Sequence, residues 1–87
     1  MEGSQFYGKY RGVVTYASDP LGICRIRAKV PSVYGDSESS WALPCLPFED
    51  KKIAVEHIPS VGSLVWIEFE NGDPDLPIWT GFFYSQS

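Results

Sequence analysis

The sequence predicts an all-β fold, in which five short antiparallel strands form a small barrel with little or no helix. Apolar and polar residues alternate along several short stretches, and clusters of turn-forming residues separate them. β-Branched and aromatic residues, which favour strands, are frequent within these stretches. The chain of 87 residues suffices for one modest core. We therefore expect a single domain over residues 1–87, with its core at about 8–84 and flexible ends at 1–7 and 85–87.

The first two strands are predicted at residues 9–17 and 23–31. In the second, apolar residues alternate with a mostly charged set, which predicts one core face and one exposed face. The core face comprises Cys24, Ile26, Ala28 and Val30, and the exposed face comprises Ile23, Arg25, Arg27 and Lys29. Between the two strands the sequence DPLG predicts a tight turn, with Asp19 and Gly22 as its structural residues.

The middle of the chain is less regular. Residues 32–40 are small and polar, which predicts a loop. A short third strand is expected at 41–45, and the prolines near its end are typical of sheet edges and strand ends. Residues 48–60 leave two alternatives open, one or two helical turns or a short strand. We favour an irregular segment that becomes extended near residues 53–56.

A hairpin closes the predicted fold, with strands at 63–70 and 77–84. Val65, Ile67 and Phe69 lie on one face of the first strand because side chains alternate along a strand. Residues that tolerate unusual backbone angles and cap turns lie between the strands. The structural residues of this turn are Gly72, Asp73, Pro74 and Asp75. The same alternation places Trp66 on the face of Leu64, and Trp79 on the face of Phe83.

The charge balance bears on the choice of partner. Eleven acidic residues oppose seven basic ones, giving a formal net charge of −4. Proteins that bind single-stranded nucleic acid need a cationic groove, because contacts with phosphates supply much of their affinity. The basic stripe of Arg25, Arg27 and Lys29 is more typical of a solvated outer face, or of the partner of a neighbouring acidic strand. Nucleic-acid binding is therefore not expected.

No catalytic, cofactor or metal site is predicted, and we do not expect an enzyme. His57 is the only histidine, and no serine lies in a GxSxG motif. Cys24, Cys45 and His57 lack the paired spacing of zinc ligands. The two cysteines could pair in a disulfide, but in a reducing cytoplasm they usually stay reduced, so both are expected to be buried thiols. The acidic run 68–75 does not reproduce a calcium loop. No apolar stretch approaches the roughly 20 residues of a membrane span, so stable membrane insertion is not expected.

Six blocks of the sequence, in order, resemble the oligosaccharide/oligonucleotide-binding (OB) domain of phage central spike proteins. They are YRGVV from Tyr10, DPLG from Asp19, RIRAKVP from Arg25, WALPC from Trp41, PSVGSLV from Pro59, and the pattern FExGDPDxPIWxG from Phe69. The family includes baseplate assembly protein V, the N-terminal domain of the cell-puncturing spike and the valine-glycine repeat spike of type VI secretion. The resemblance implies an OB barrel.

The resemblance also implies a function. The chain would be a structural spike or hub-adaptor subunit of a phage tail baseplate or a related contractile injection machine, plugging the tail tube and linking the hub to the needle or tip. Its partners would be a tail hub protein, two further copies of itself in a homotrimer, and a needle or tip protein. It would act in the virion tail baseplate, assembled in the cytoplasm of the bacterial host. The alternative is a stand-alone OB module that binds single-stranded nucleic acid or carbohydrate.

A barrel this small cannot bury every aromatic side chain, which predicts a protein partner. The candidate contact residues are Phe6, Tyr7, Tyr34, Trp41, Phe83 and Tyr84. Many members of the resembled family continue beyond the barrel into a β-helical needle, a lysozyme domain or a metal-binding tip, whereas this sequence ends at Ser87. The needle would then be a separate protein, be dispensed with, or belong to a longer chain. The hub-adaptor role is compatible with each of these.

Overall fold

The computed structural model describes residues 5–46 and 58–85. Most of the ambiguous segment 48–60 therefore lies outside the described residues. Five strands form one sheet: β1 (Tyr10–Tyr16), β2 (Arg27–Lys29), β3 (Leu43–Pro44), β4 (Leu64–Phe69) and β5 (Pro77–Phe82). The described helical structure consists of a four-residue helix, α1 (Pro31–Tyr34), and a 3₁₀ turn at Glu70–Gly72. The predicted all-β fold with minimal helix is confirmed.

The sheet curls into an OB-like half-barrel with the strand order β2-β1-β4-β5-β3. An antiparallel bridge connects its two edges, where the Ile26 N–H donates to the Ala42 carbonyl at 3.1 Å and the Ala42 N–H donates back at 2.7 Å. The prediction of a wholly antiparallel sheet is wrong at one pair, because β3 runs parallel to β5. An odd number of strands cannot close a ring with every neighbour antiparallel, so one parallel pair is required.

The core lies on the concave face of this sheet. The alternation predicted for β4 is confirmed, since Val65, Ile67 and Phe69 are all buried. The alternation predicted for the second strand is confirmed in the same way. The buried apolar residues are Val14, Cys24, Ile26, Ala28, Val30, Ala42, Val65, Ile67, Phe69 and Trp79. Cys24 is thus a buried thiol as expected, but Cys45 is exposed. Cys45 lies three residues after the inward-facing Ala42, so alternation places its side chain on the outer face.

All five strands are shorter than predicted, and two of the departures from the predicted bounds have local reasons. β2 begins at Arg27 rather than at residue 23, because Cys24 has a left-handed backbone (φ 67°) that interrupts an extended strand. The predicted polar loop 32–40 begins inside helix α1, which Pro31 starts with a φ suited to the first helical position. Gly35 ends this helix, and its N–H donates to the Pro31 carbonyl at 3.1 Å.

The division of the chain into a core and flexible ends stays a prediction. Phe6, which was assigned to the flexible N-terminal end, nevertheless packs against the core. Its N–H donates to the Gly72 carbonyl at 2.8 Å, and its ring lies 6.0 Å from those of Tyr10 and Phe69. This part of the N-terminal segment therefore covers one end of the core.

Candidate functional site

A β-bulge in the β4–β5 hairpin determines which aromatic side chains reach the outer face of the sheet. Trp66 pairs with Gly81 whereas Ile67 pairs with Trp79, so Thr80 is an extra residue and the alternation shifts beyond it. Trp79 is buried, while Phe83 packs on Trp66 with 4.6 Å between the ring centroids. The prediction that Trp79 and Phe83 share a face is therefore wrong, because the bulge reverses the facing of the residues that follow it.

Arg11 completes this group, which we call the outer aromatic cluster (Arg11, Trp66 and Phe83). The register of β1 and β4 places Arg11 directly opposite Trp66. Its guanidinium carbon lies 5.7 Å from the ring centroid of Trp66 and 5.1 Å from that of Phe83. A guanidinium at this distance from an aromatic face is held by cation–π attraction. Among the described residues, no carboxylate lies within ion-pair distance of Arg11.

A groove of about 300 Å³ lies beside the outer aromatic cluster. Besides Arg11 and Phe83, the residues that line it are Gly12, Val13, Pro31, Leu64 and Ser85. Val13, which is 39% exposed, pairs with Leu64 on one side and with Lys29 on the other. The groove therefore has apolar walls, with Arg11 on its border and the exposed Lys29 next to Val13.

A second surface cluster surrounds Trp41. Its ring lies 5.7 Å from that of Tyr16, and the guanidinium carbons of Arg25 and Arg27 lie 4.9 Å and 5.7 Å from its centroid. Arg27 also lies 3.4 Å from the Glu38 carboxylate, which in turn accepts a hydrogen bond from the Thr15 hydroxyl. Acidic groups thus pair with Arg25 and Arg27, but they come from the turn at Asp19 and the isolated bridge residue Glu38 rather than from the neighbouring acidic strand that was expected.

The carboxylate of Asp19 organises the turn that precedes β2. It accepts the backbone N–H groups of Leu21 (2.8 Å), Ile23 (3.1 Å) and Arg25 (3.1 Å), together with the Nε and Nη2 donors of the Arg25 guanidinium at 3.0 Å and 2.8 Å. The Asp19 side chain is only 3% exposed. Hydrogen bonding from the Arg25 side chain, and then from the backbone N–H groups, holds the pKa of the Asp19 carboxyl well below its usual range despite its burial. Gly22, with φ 67°, completes the turn.

The turn between β4 and β5 is held by similar means. The Asp73 carboxylate accepts the Asp75 N–H at 2.9 Å, and Asn71 and Gly72 both have positive φ angles. Tyr34, the last residue of helix α1, connects the helix to this turn through a hydrogen bond. Its hydroxyl donates to the Pro74 carbonyl at 2.6 Å. Burial, followed by the negative charges of Asp75 and Asp73, raises the pKa of Tyr34 to about 12.

The six predicted contact residues therefore fall into different environments. Phe6 and Tyr34 are half-buried and pack around the core and the 70–76 turn. Trp41 lies in its own arginine-rich cluster, and Phe83 lies in the outer aromatic cluster. Tyr7 and Tyr84 are exposed, at 66% and 94%. The structure does not gather the six residues into one site.

Sequence reasoning missed seven residues of the groove and its cluster: Arg11, Val13, Gly12, Pro31, Leu64, Trp66 and Ser85. A signal for the first two exists, since Arg11 and Val13 alternate with the buried Gly12 and Val14 along β1. That alternation identifies them as outward-facing. Their proximity to Phe83 depends on the bulge at Thr80, which alternation alone does not reveal.

Within residues 5–46 and 58–85, no three His, Cys, Asp or Glu side chains are close enough together to hold a metal ion. The helices in this part of the chain are all too short to cross a bilayer.

Comparison with known proteins identifies the family. A family model described as the type VI secretion system/phage-baseplate injector OB domain matches residues 10–84. The chain belongs to this family. The match to the injector OB domain includes all five strands and the residues of the outer aromatic cluster. No curated protein matches the chain. The resemblance seen in the sequence is thus confirmed, and membership associates this OB domain with phage baseplates and type VI secretion.

Proposed function

We propose that the chain is a structural spike or hub-adaptor subunit of a phage tail baseplate or a related contractile injection machine. In this role it plugs the tail tube and links the hub to a needle or tip. The observation that carries the proposal is the match to the injector OB domain over residues 10–84. The chain acts through binding and mechanical connection rather than as an enzyme.

Exposed apolar side chains support a role in protein assembly. Several large ones are at least 45% exposed: Tyr7, Tyr16, Leu21, Ile23, Leu43, Val61, Leu76, Phe82 and Tyr84. Covering apolar surface of this kind with a partner is favourable, because it removes the surface from water. We propose a homotrimer, in which a closed ring of heterologous contacts covers part of this surface. The hub and a needle or tip protein cover other parts.

The proposal is tested in the bacterium that produces the protein. A tagged chain is expected to co-sediment with purified tails or with the injection machine, and deletion of its gene is expected to abolish complete particles. A chain that stays in the unassembled protein fraction, while complete particles form without it, would overturn the proposal. Complementation with the wild-type chain is the control for the deletion.

The alternative function, an OB module for single-stranded nucleic acid or carbohydrate, has less support. Asp19 pairs with Arg25 and Glu38 pairs with Arg27, so two of the three cations in the basic stripe are already neutralised. A labelled oligothymidylate measured by fluorescence anisotropy tests this alternative, with Lys29→Gln as the diagnostic variant. Replacement of Arg25 is unsuitable because it also disrupts the Asp19 turn. Salt-sensitive binding that Lys29→Gln weakens would favour the alternative.

A further inference from the structure

The geometry points to the groove beside the outer aromatic cluster as a docking site for an acidic segment of a partner protein. The segment carries an aspartate or glutamate next to one large aliphatic or aromatic side chain. The inference rests on the proposed function in one respect, because the segment belongs to another component of the assembly. It identifies the chemistry of the contact and the residues of this chain that make it.

The shape of the groove selects the apolar part of the segment. Val13, Leu64 and Phe83 line a volume of about 300 Å³ on the outer face of the sheet. This volume is at the lower end of the range for binding pockets, so it accommodates a large side chain rather than a whole helix. Val13 and Leu64 pair across β1 and β4, and Phe83 is fixed by its packing on Trp66. The apolar walls are therefore held in place by the sheet and by the stacked rings.

The charge around the groove selects the acidic part of the segment. Lys9 pairs with Glu68, and Asp19 and Glu38 neutralise the two arginines next to Trp41. Among the described residues, Arg11 and Lys29 are the basic side chains that form no ion pair with another described residue, and Val13 lies between them. Glu38 lies opposite Lys29 across an antiparallel bridge, so the positive charge at the groove is concentrated at Arg11. The planar guanidinium of Arg11 matches a carboxylate in bidentate geometry.

A protein segment fits these features better than a nucleic acid. Single-stranded nucleic acid requires aromatic faces on which bases stack and a cationic track along the backbone. Here the rings of Trp66 and Phe83 pack on each other at 4.6 Å, and Arg11 lies over both. The faces are thus already in contact, and the two cations flank an apolar groove rather than forming a track.

The test is a selection from displayed short random peptides, with the wild-type chain as bait. Peptides in which Asp or Glu neighbours a large apolar residue are expected to be enriched, and the Arg11→Gln chain is expected not to enrich them. Lys9→Gln is the matched control, because Lys9 is also an exposed cation near β1 but lies outside the groove. Both variants are checked for an unchanged urea midpoint.

An enriched peptide is then synthesised, and its dissociation constant is measured by calorimetry. Arg11→Gln is expected to weaken binding by at least about tenfold, because the bidentate contact includes two charge-assisted hydrogen bonds, and Lys9→Gln by less than about twofold. Replacing the acidic residue of the peptide by its amide should reproduce the loss. Absence of enriched peptides, enrichment without an excess of acidic residues, or equal binding by the Arg11→Gln chain would overturn the inference.

Two further measurements separate this inference from the proposed function. Light scattering is expected to give the same oligomeric mass for Arg11→Gln and for the wild type, and a lower mass for the variant would show that a second copy occupies the groove. Displacement of the peptide by an oligothymidylate would assign the groove to nucleic acid. Either result overturns the inference. A monomeric wild type that still binds acidic peptides would instead count against the homotrimer and leave the groove assignment intact.

Discussion

The indole Nε1 of Trp79 donates a hydrogen bond of 3.0 Å to the backbone carbonyl of Cys24. Both residues are buried, and Cys24 has the left-handed backbone that ends the Asp19 turn (φ 67°). The bond therefore connects strand β5 to the irregular segment that leads into β2. It provides a side-chain contact between β5 and a segment that lies outside the strands of the sheet.

Replacing Trp79 by Phe is expected to lower the free energy of unfolding by about 1–3 kcal/mol, because the Cys24 carbonyl loses its partner in a buried environment. Urea denaturation measures the change. Trp66→Phe is the matched control, since Trp66 is half-buried and makes no indole hydrogen bond to a described residue. If the two variants lose equal amounts of unfolding free energy, the hydrogen bond from Trp79 to Cys24 does not stabilise the fold as proposed.

The Asp19 turn makes stability depend on pH. The pKa of Asp19 is lowered in the folded protein, so its ionised carboxylate stabilises the fold. This stabilisation is complete above the unfolded pKa of about 3.9 and is lost progressively as pH falls below that value. Asp19→Asn should therefore be less stable than the wild type at neutral pH, and the difference should narrow in acid. Urea denaturation across this pH range provides the measurement.

The matched control for Asp19→Asn is Glu68→Gln. Glu68 is half-exposed and pairs with the exposed Lys9 at 3.0 Å, so its replacement should change stability by less than about 1 kcal/mol. A difference between Asp19→Asn and the wild type that persists undiminished in strong acid would contradict the assigned role of the carboxylate.

The raised pKa of Tyr34 predicts a second dependence of stability on pH, in the alkaline range. Its folded pKa is raised to about 12, so its contribution to stability is complete below the unfolded pKa of about 10 and is lost as pH rises through the folded value. Tyr34→Phe should lack this alkaline component and, at neutral pH, should lose about 0.5–1.5 kcal/mol with the hydrogen bond to Pro74. The difference in tyrosinate absorbance between the wild type and Tyr34→Phe during an alkaline titration measures the pKa of Tyr34. A difference between the two titration curves centred near the ordinary tyrosine pKa of about 10, rather than near 12, would refute the assignment.

Gly72 is expected to tolerate no side chain. A Cβ there would lie 2.8 Å from Cε1 of the Tyr7 ring, on a backbone with φ +74°. Gly72→Ala should therefore cost the left-handed penalty of about 1–2 kcal/mol together with the clash. Gly62→Ala isolates the backbone penalty, because the φ of Gly62 is +93° and no atom of another described residue beyond its chain neighbours would lie within 4 Å of the new Cβ.

A double-mutant cycle with Tyr7→Ala separates the two contributions at Gly72. Thermal unfolding should show that Gly72→Ala costs less in the Tyr7→Ala background, by at least about 0.5 kcal/mol. Zero coupling would mean that the exposed Tyr7 ring moves aside without cost.

Alternation along the strands predicted much of the fold. Val65, Ile67 and Phe69 face the core as expected, and the buried residues of the second strand were assigned in the same way. These predictions succeed because burial of one face of a sheet imposes a period of two on the sequence. The parallel pairing of β3 with β5 was missed, although closing five strands into a ring requires one such pair.

The candidate site was less predictable because it depends on a departure from alternation. The extra residue Thr80 turns Phe83 to the outer face, where it meets Trp66 and Arg11. Long-range contacts such as that between Tyr34 and Pro74 also leave no periodic signal in the sequence. Aromatic content alone therefore suggested a contact surface but grouped Phe6 and Tyr34 with Phe83, although the first two pack around the core.

The solution mass of the purified chain, measured by light scattering coupled to gel filtration, tests the central claim most directly. A structural subunit of an injector spike with threefold symmetry is predicted to have the mass of three chains. A mass of one chain, 9.7 kDa, at every concentration would contradict the proposed homotrimer.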